Sequence, residues 1–376
     1  MFITTTEDLN AFCARAKKHG VLAVDTEFLR EKTYHPRLCL IQLGTPEEVC
    51  AVDPFRVEDF SSLKDLLEDE NIVKVLHACS QDMEVIKYAL SCVVHPVFDT
   101  QVAAAFLGYR MQLGYGALVE AYASVTLPKA ESMTDWSLRP LDAQQIAYAE
   151  DDVRYLPGIY DKMMSELIDK NRLGWLVPEM QEVCDPEKLE VHYDEAYRKV
   201  KRVNSLTRKQ LAIAREVASW REKTAEMRNI PRKWVLGDEV LIEICKRCPK
   251  NADKLRRLRG LTQLNSGDCT SILAAVNAGL NCPSDQLPEI KRRPRTSSDT
   301  DSVIDLMYSV LRIIAAKNGI AAQVIATRDD LYEYLNNNEK SSLASGWRHE
   351  ILGKYLIQLL EGQIGLTVKD GKVEIL

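Results

Sequence analysis

Three short stretches carry carboxylates at spacings that could do chemistry. In VDTEF, at positions 24–28, Asp25 and Glu27 stand two residues apart. On a strand such residues share a face, while Thr26 points away. Two carboxylates converging from one strand end repel unless a cation lies between them, and hard oxygen donors select Mg²⁺ or Mn²⁺. A strand-edge pair facing water has the same spacing, but the apolar run GVLAVD predicts a central strand. Asp82 follows the apolar run IVKVLHA by a short turn, where sites collect in α/β sheets. An acid in the first turn of a helix is also favoured by the helix dipole. In AYAEDDVRYL, positions 147–156, Glu150, Asp151 and Asp152 form an unbroken acidic run. Tyr148 and Asp152, four apart, lie on one helix face. Asp151 is turned about 100° from Asp152, and Glu150 further. A tyrosine beside a carboxylate suits the placing of a water on a cation; a purely structural Tyr–Asp contact has the same spacing. Asp152 is therefore the candidate ligand, with Asp151 and Glu150 as bystanders.

The elements that must position these residues follow from periodicity. Strands are predicted over 20–28, 38–44, 48–53 and 72–78, the second and third joined as a hairpin through TPE. SSLKDLLEDE reads as a helix capped by serine, SQDMEVIKYAL as a helix, and VVHPVFD as a short strand ending on Asp99, which can cap the next helix, TQVAAAFLG. LGYGALVEAYA is another short helix. A long amphipathic helix is expected from about Asp142 to Lys170, kinked at Pro157. The order β-β-β-α-β-α-β-α implies a mixed sheet covered by helices, an α/β domain over 1–170. A connecting segment covers 171–204. Beyond it strand signals stop, and residues 205–285 read as helices. Residues 286–302 lie in a stretch rich in Pro, Ser and charge and read as a linker. A second helical unit spans 303–376 and ends in a small hairpin around Asp370–Gly371.

Charge is divided along the chain. Residues 1–170 carry 16 Lys and Arg against 27 Asp and Glu, a net of −11; residues 199–295 carry 22 against 10, a net of +12; the whole chain is −6. Acidic groups could hold metal and basic ones a polyanion. Both could also be solvated surface. No apolar run reaches the length of a membrane span, and MFITTTEDLNAF lacks the basic and apolar regions of a secretory signal. The ten cysteines form no small-domain framework and read as reduced thiols, which implies a cytoplasmic protein. Cys245 and Cys248 make one CxxC with no second ligand pair, so a zinc site is not expected. No Ser/His/Asp or Cys/His arrangement calls for a covalent intermediate.

Taken together, Asp25, Glu27, Asp82, Tyr148 and Asp152 resemble the DEDDy family of 3′→5′ exonucleases, and within it the ribonuclease D branch. VDTEF stands at the first motif, KVLHACSQDMEVI at the second and YAEDD at the third, and TYHPRLCLIQL, VFDTQVAAAFLG and LPKAESMTDWSLRPL also match. Residues 205–285 resemble an HRDC domain, a helical nucleic-acid-binding module, and 303–376 a more divergent second copy. The resemblance implies a ribonuclease-H-like catalytic domain and two all-α domains. It also implies two divalent metal ions (Mg²⁺ or Mn²⁺), about 4 Å apart, and release of nucleoside 5′-monophosphates from RNA 3′ ends, tRNA precursors foremost. By the same resemblance Asp25 bridges both ions, Glu27 and Asp152 complete one site, Asp82 serves the other through water, and Tyr148 orients the attacking water. Glu27 could also touch the terminal 3′-hydroxyl.

Further contacts are expected around this centre. His77 and Gln42 sit near strand ends and could reach substrate, although a satisfied internal polar residue is the favoured reading of each. Phe28 could stack on a terminal base or turn into the core. Lys129 and Arg139 flank the loop before the third motif and could hold phosphates or face solvent. Arg208, Lys209, Arg232, Lys233, Arg256, Arg257 and Arg259 form the basic surface of the helical segment, expected to hold RNA through phosphate. A Werner-type DNA 3′→5′ exonuclease and a non-catalytic RNA-binding scaffold are the rival readings. No protein partner can be inferred.

Overall fold

The computed structural model describes residues 1–128, 134–261, 264–289, 297–337 and 340–376. Its main sheet contains β1 (Phe2–Ile3), β2 (Val21–Leu29), β3 (Arg37–Gly44), β4 (Val49–Val52), β5 (Val73–Leu76) and β6 (Val97–Asp99), side by side in the order β1-β4-β3-β2-β5-β6. β5 runs parallel to β2 and β6, β1 runs parallel to β4, and β3 is antiparallel to β4. This is the mixed sheet expected from the sequence. The β3–β4 hairpin pairs Gly44 with Val49 and closes on a Thr45 N–H bond to the Glu48 carbonyl. β1 and the helix after it, α1 (Thr6–Ala16), carry no signal read from the sequence. A two-residue edge strand is too short for periodicity, and α1 is marked mainly by its Thr5 cap.

Helices cover the sheet: α2 (Ser61–Leu67), α3 (Ser80–Leu90), α4 (Thr100–Phe106), α5 (Tyr115–Ala123), α6 (Ala143–Arg154), α7 (Leu156–Asp169) and α8 (Leu173–Val183). Two expectations change. The serine cap on α2 is absent: Asp59 accepts from the Ser61 N–H and hydroxyl, and the N-cap position is Phe60. The long helix is two helices, α6 and α7, broken at Tyr155 rather than kinked. Pro157 lies in the first turn of α7, where its missing N–H leaves no helical bond unmade. A capping box starts α6: the Asp142 carboxylate accepts from Gln144 and Gln145 N–H, and the Gln145 side chain accepts from Asp142 N–H, all at 2.8 Å.

Two compact units divide the chain: one holds Met1–Glu27, Cys39–Asp185 and Arg295–Leu376, the other Phe28–Leu38 and Pro186–Pro294. In the first unit, the helix Ser298–Asn318 and the helices after it share one core with the sheet domain, Met307, Leu311 and Leu352 clustering with Val75, Phe106 and Leu156. Arg172 donates to the Phe106, Asn318 and Gly319 carbonyls, and Trp175 stacks on Trp347. The final hairpin, Leu366–Lys369 with Lys372–Ile375, turns at Asp370 and Gly371, both with positive φ, as the Asp-Gly pair demands. In the second unit, Arg208–Met227, Asp238–Arg247 and Ser266–Leu280 pack around Ile213, Val217, Ile244 and Ile272. Among the described residues no single helix is long and apolar enough to cross a membrane.

Candidate active site

The site gathers at the end of β2. The register pairs Ala23 with Val75, and β5 stops at Leu76. β2 therefore outruns its neighbour, leaving Asp25 to Glu27 beyond the end of β5, where the chain turns into α3. Asp99, at the end of β6, shapes that turn. Its carboxylate accepts from the Ala78 and Cys79 N–H groups at 3.1 and 2.9 Å while also capping α4 through Gln101 and Val102. Ala78 takes a positive φ of 60° there. The turn carries Asp82 to the open flank of β2, where its Oδ1 accepts from the Thr26 hydroxyl at 2.5 Å. Thr26, expected to face away from the acids, thus holds one of them, because past the end of β5 its side of the strand is open to α3.

α6 brings the third group. Tyr148 and Asp152 share its inner face, close enough that each shifts the other's pKa, and the Tyr148 ring stacks on Trp136 at 6.1 Å between centroids. Asp151 turns outward to Arg154 at 2.8 Å, and Glu150 meets the same arginine at 3.2 Å. Tyr115, on α5, donates to the Asp151 carbonyl at 2.8 Å and lies close enough to Asp152 and Asp25 that burial and both charges raise its pKa. Sequence reasoning did not single out Tyr115, which lies outside the acidic motifs, or Thr26, which lies inside the first but was expected to face away; only assembled elements bring them to the site.

Electrostatics tie the four acids together. Burial, then the charges of Asp82, Asp152 and Glu27, lift the Asp25 carboxyl well above its ordinary range. Glu27 is pushed up to about 8 by burial and by Asp152 and Asp82. Asp152 rises to about 7 through burial, against the Tyr148 hydrogen bond, and Asp82 to about 6 through burial, against the Thr26 bond. Among the described residues no basic side chain acts on Glu27 or Asp152. Among the described residues no three His, Cys, Asp or Glu side chains stand ready in one cation's coordination geometry, and Asp82 has one oxygen committed to Thr26. The donor set still fits hard divalent ions: carboxylate oxygens only, with excess buried negative charge that no protein cation offsets.

The other candidates are placed differently. Both ring nitrogens of His77 are used inside the fold, Nδ1 with the Thr100 hydroxyl and Nε2 with the Leu113 carbonyl, each at 2.9 Å, and burial lowers its pKa. Gln42 departs from the satisfied polar residue expected: it is fully buried and both amide atoms lack a hydrogen-bond partner. Arg139 directs all five donors inward, to the buried Asp53 carboxylate at 2.8 and 2.9 Å and to the Trp136, Leu138 and Cys39 carbonyls. None remains for a phosphate. Phe28 is part-buried, and Lys129 lies outside the described residues. In the second unit Arg208 donates to the Leu287 and Pro288 carbonyls and Arg232 pairs with Glu222. Lys209, Lys233, Arg256, Arg257 and Arg259 are exposed.

Comparison with known proteins adds to this geometry. A family model for a 3′–5′ exonuclease matches residues 1–168, and an HRDC domain model matches 210–265. The chain is 37% identical to ribonuclease D of Nitrobacter hamburgensis, over 99% of this chain and 98% of that one. It is 38% identical to ribonuclease D of Sphingobium indicum, over 99% and 97%. Among solved structures, Escherichia coli RNase D, described as an exoribonuclease involved in structured RNA processing, superposes with a TM-score of 0.84 at 32% identity, covering 96% of this chain and 98% of that one.

Proposed function

The chain belongs to the ribonuclease D family of 3′→5′ exoribonucleases, and on that premise we propose that Asp25, Glu27, Asp82 and Asp152 hold two divalent ions, Mg²⁺ or Mn²⁺, with Tyr148 placing the attacking water. One observation carries the assignment: four carboxylates from three separate elements converge on the end of β2, where the charges of Asp82 and Asp152 raise the pKa of Asp25 and Glu27. When bound, the ions supply charge for activating the water and for stabilising the leaving 3′-oxygen. The chain's own groups do the rest. Thr26 fixes Asp82, the Tyr148 hydroxyl is held at Asp152, and burial of Tyr148 and the neighbouring acids keep its proton on, so it orients rather than deprotonates.

Each cleavage releases one nucleoside 5′-monophosphate from an RNA 3′ end. Precursor tRNAs are the substrate class we assign, read by end structure and backbone rather than base code, in the cytoplasm. The 205–285 segment is an HRDC domain that holds the RNA body through phosphate, and 303–376 a second helical module, with 171–204 connecting and 286–302 linking them. The test incubates the full chain with 5′-labelled RNA bearing a 3′-hydroxyl, and with matched DNA, in Mg²⁺, Mn²⁺ or chelator. Stepwise shortening of RNA with mononucleotide release, faster than on DNA and absent in chelator, is the expected result. No release with either metal would leave an RNA-binding scaffold; faster attack on DNA would favour the Werner-type reading.

A further inference from the structure

Gln42 lies on β3 with no exposed surface, and neither its amide nitrogen nor its amide oxygen has a hydrogen-bond partner among the described residues. A buried primary amide in that state is rare and unfavourable, and an apolar residue of equal size would pack there without the penalty. Its position gives the reason. β2 and β3 are adjacent in the sheet, and only residues 30–36 connect them, too few for a parallel crossover, so the strands run in opposite directions. A Cβ at Gly44 would stand 3.3 Å from Ala23 Cβ, which puts these two residues on one face of neighbouring strands. Two residues further along each strand on that face stand Asp25 and Gln42. Directly opposite residues hold their Cβ atoms about 4.5–5.5 Å apart. The same face is roofed by α6, whose Val153 carbonyl would lie 2.9 Å from a Gly44 Cβ, so Gln42 is sealed behind Asp25 and has no path to RNA.

A carboxylate that ligates a cation needs a second hydrogen bond to fix its direction. Thr26 does this for Asp82, and Tyr148 stands beside Asp152 on the same helix face. We propose that Gln42 is the positioning residue for Asp25: its Nε2–H, which reaches no partner among the described residues, turns to donate to the carboxylate oxygen that faces the sheet when cations hold the other oxygen. The inference rests on the four acids being the metal ligands.

The test compares wild type, Gln42→Met and Asp25→Asn as full-length chains, using calorimetric titration with Mn²⁺, the melting temperature in chelator, and kcat and KM on RNA. For Gln42→Met the expected result is an Mn²⁺ dissociation constant raised about 10- to 100-fold, a lowered kcat, an unchanged KM and a metal-free melting temperature equal to or above wild type. Unchanged Mn²⁺ affinity and kcat in Gln42→Met would overturn the proposal while the metal-site reading stands. No Mn²⁺ binding by wild type, or undiminished binding by Asp25→Asn, would overturn both. If Gln42→Met does not fold, the wild-type protein decides: the Gln42 side-chain N–H resonances should shift on adding Mg²⁺, and resonances that stay put at saturation would refute the role.

Discussion

At the scale of single residues, the acidic run that closes the third motif separates into one carboxylate turned to the β2 acids and two turned away. Asp152 faces Tyr148 and the β2 acids, whereas Asp151 and Glu150 are drawn to Arg154. Asp152→Asn is expected to abolish turnover while the chain stays folded, and Asp151→Asn to keep most activity; the reverse pattern in a 3′-end trimming assay would mean the wrong carboxylate has been assigned. The raised acids also set a pH dependence. Glu27, Asp152 and Asp82 bind protons more tightly folded, at about 8, 7 and 6, than in an unfolded chain, at about 4. The contribution of these three groups to the stability of the metal-free protein is therefore fully present below about pH 4 and is lost as pH climbs toward 8, because the unfolded state sheds these protons first. A divalent ion offsets that repulsion, so the gain in melting temperature on adding Mn²⁺ should be larger at pH 8 than at pH 5. An equal gain at both would refute it. That Asp25 lies with Glu27 and Tyr148 with Asp152 was legible because i, i+2 on a strand and i, i+4 on a helix fix a shared face without knowledge of the partner. Thr26 and Gln42 were not: each acquires its meaning from a residue brought beside it by another element. Arg139 misled for the same reason, since nothing in its neighbourhood of sequence announces Asp53.

At the scale of elements, β2 to β6 were readable from apolar runs and the α4 cap from Asp99. The break between α6 and α7 was not, because a proline inside a periodic pattern permits either a kink or a new first turn, and tertiary packing chooses. That packing now matters to function. Gly44 lets β3 and α6 approach so closely that a methyl group there would sit 2.9 Å from the Val153 carbonyl, one residue from Asp152. Backbone cannot move aside as a flexible side chain does, so Gly44→Ala should push α6 outward by a few tenths of an ångström. Overpacking of this kind costs about 1–3 kcal/mol, and a shifted Tyr148–Asp152 pair should lower kcat on the order of tenfold with KM on RNA little changed. A melting temperature that drops while kcat stays at the wild-type value would mean that the strain is absorbed away from the site.

For the molecule as a whole, the sequence divides charge before any fold is known: −11 over residues 1–170 and +12 over 199–295. Part of the acidic share is the four carboxylates that gather at the end of β2. Invisible in the sequence was the shared core of 303–376 with the sheet domain, since an apolar stripe says that a face is buried but not against what. The basic share leads to a measurable consequence for RNA. Lys209, Lys233, Arg256 and Arg257 are exposed, so they can meet phosphates without breaking internal bonds, unlike Arg139. Phosphate contacts release counterions, and each one on a single strand contributes about 0.7 to the slope of log affinity against log salt. Changing all four residues to alanine should therefore weaken RNA binding and flatten that slope by up to about 3. Because phosphates carry no sequence information, the loss should be equal for RNAs of different sequence. Anisotropy titrations over a range of salt concentrations, in the Asp152→Asn background so that the RNA stays intact, give the slope directly. A quadruple variant with the parental slope, or an intact protein whose affinity ignores salt, would remove the basic surface from RNA recognition.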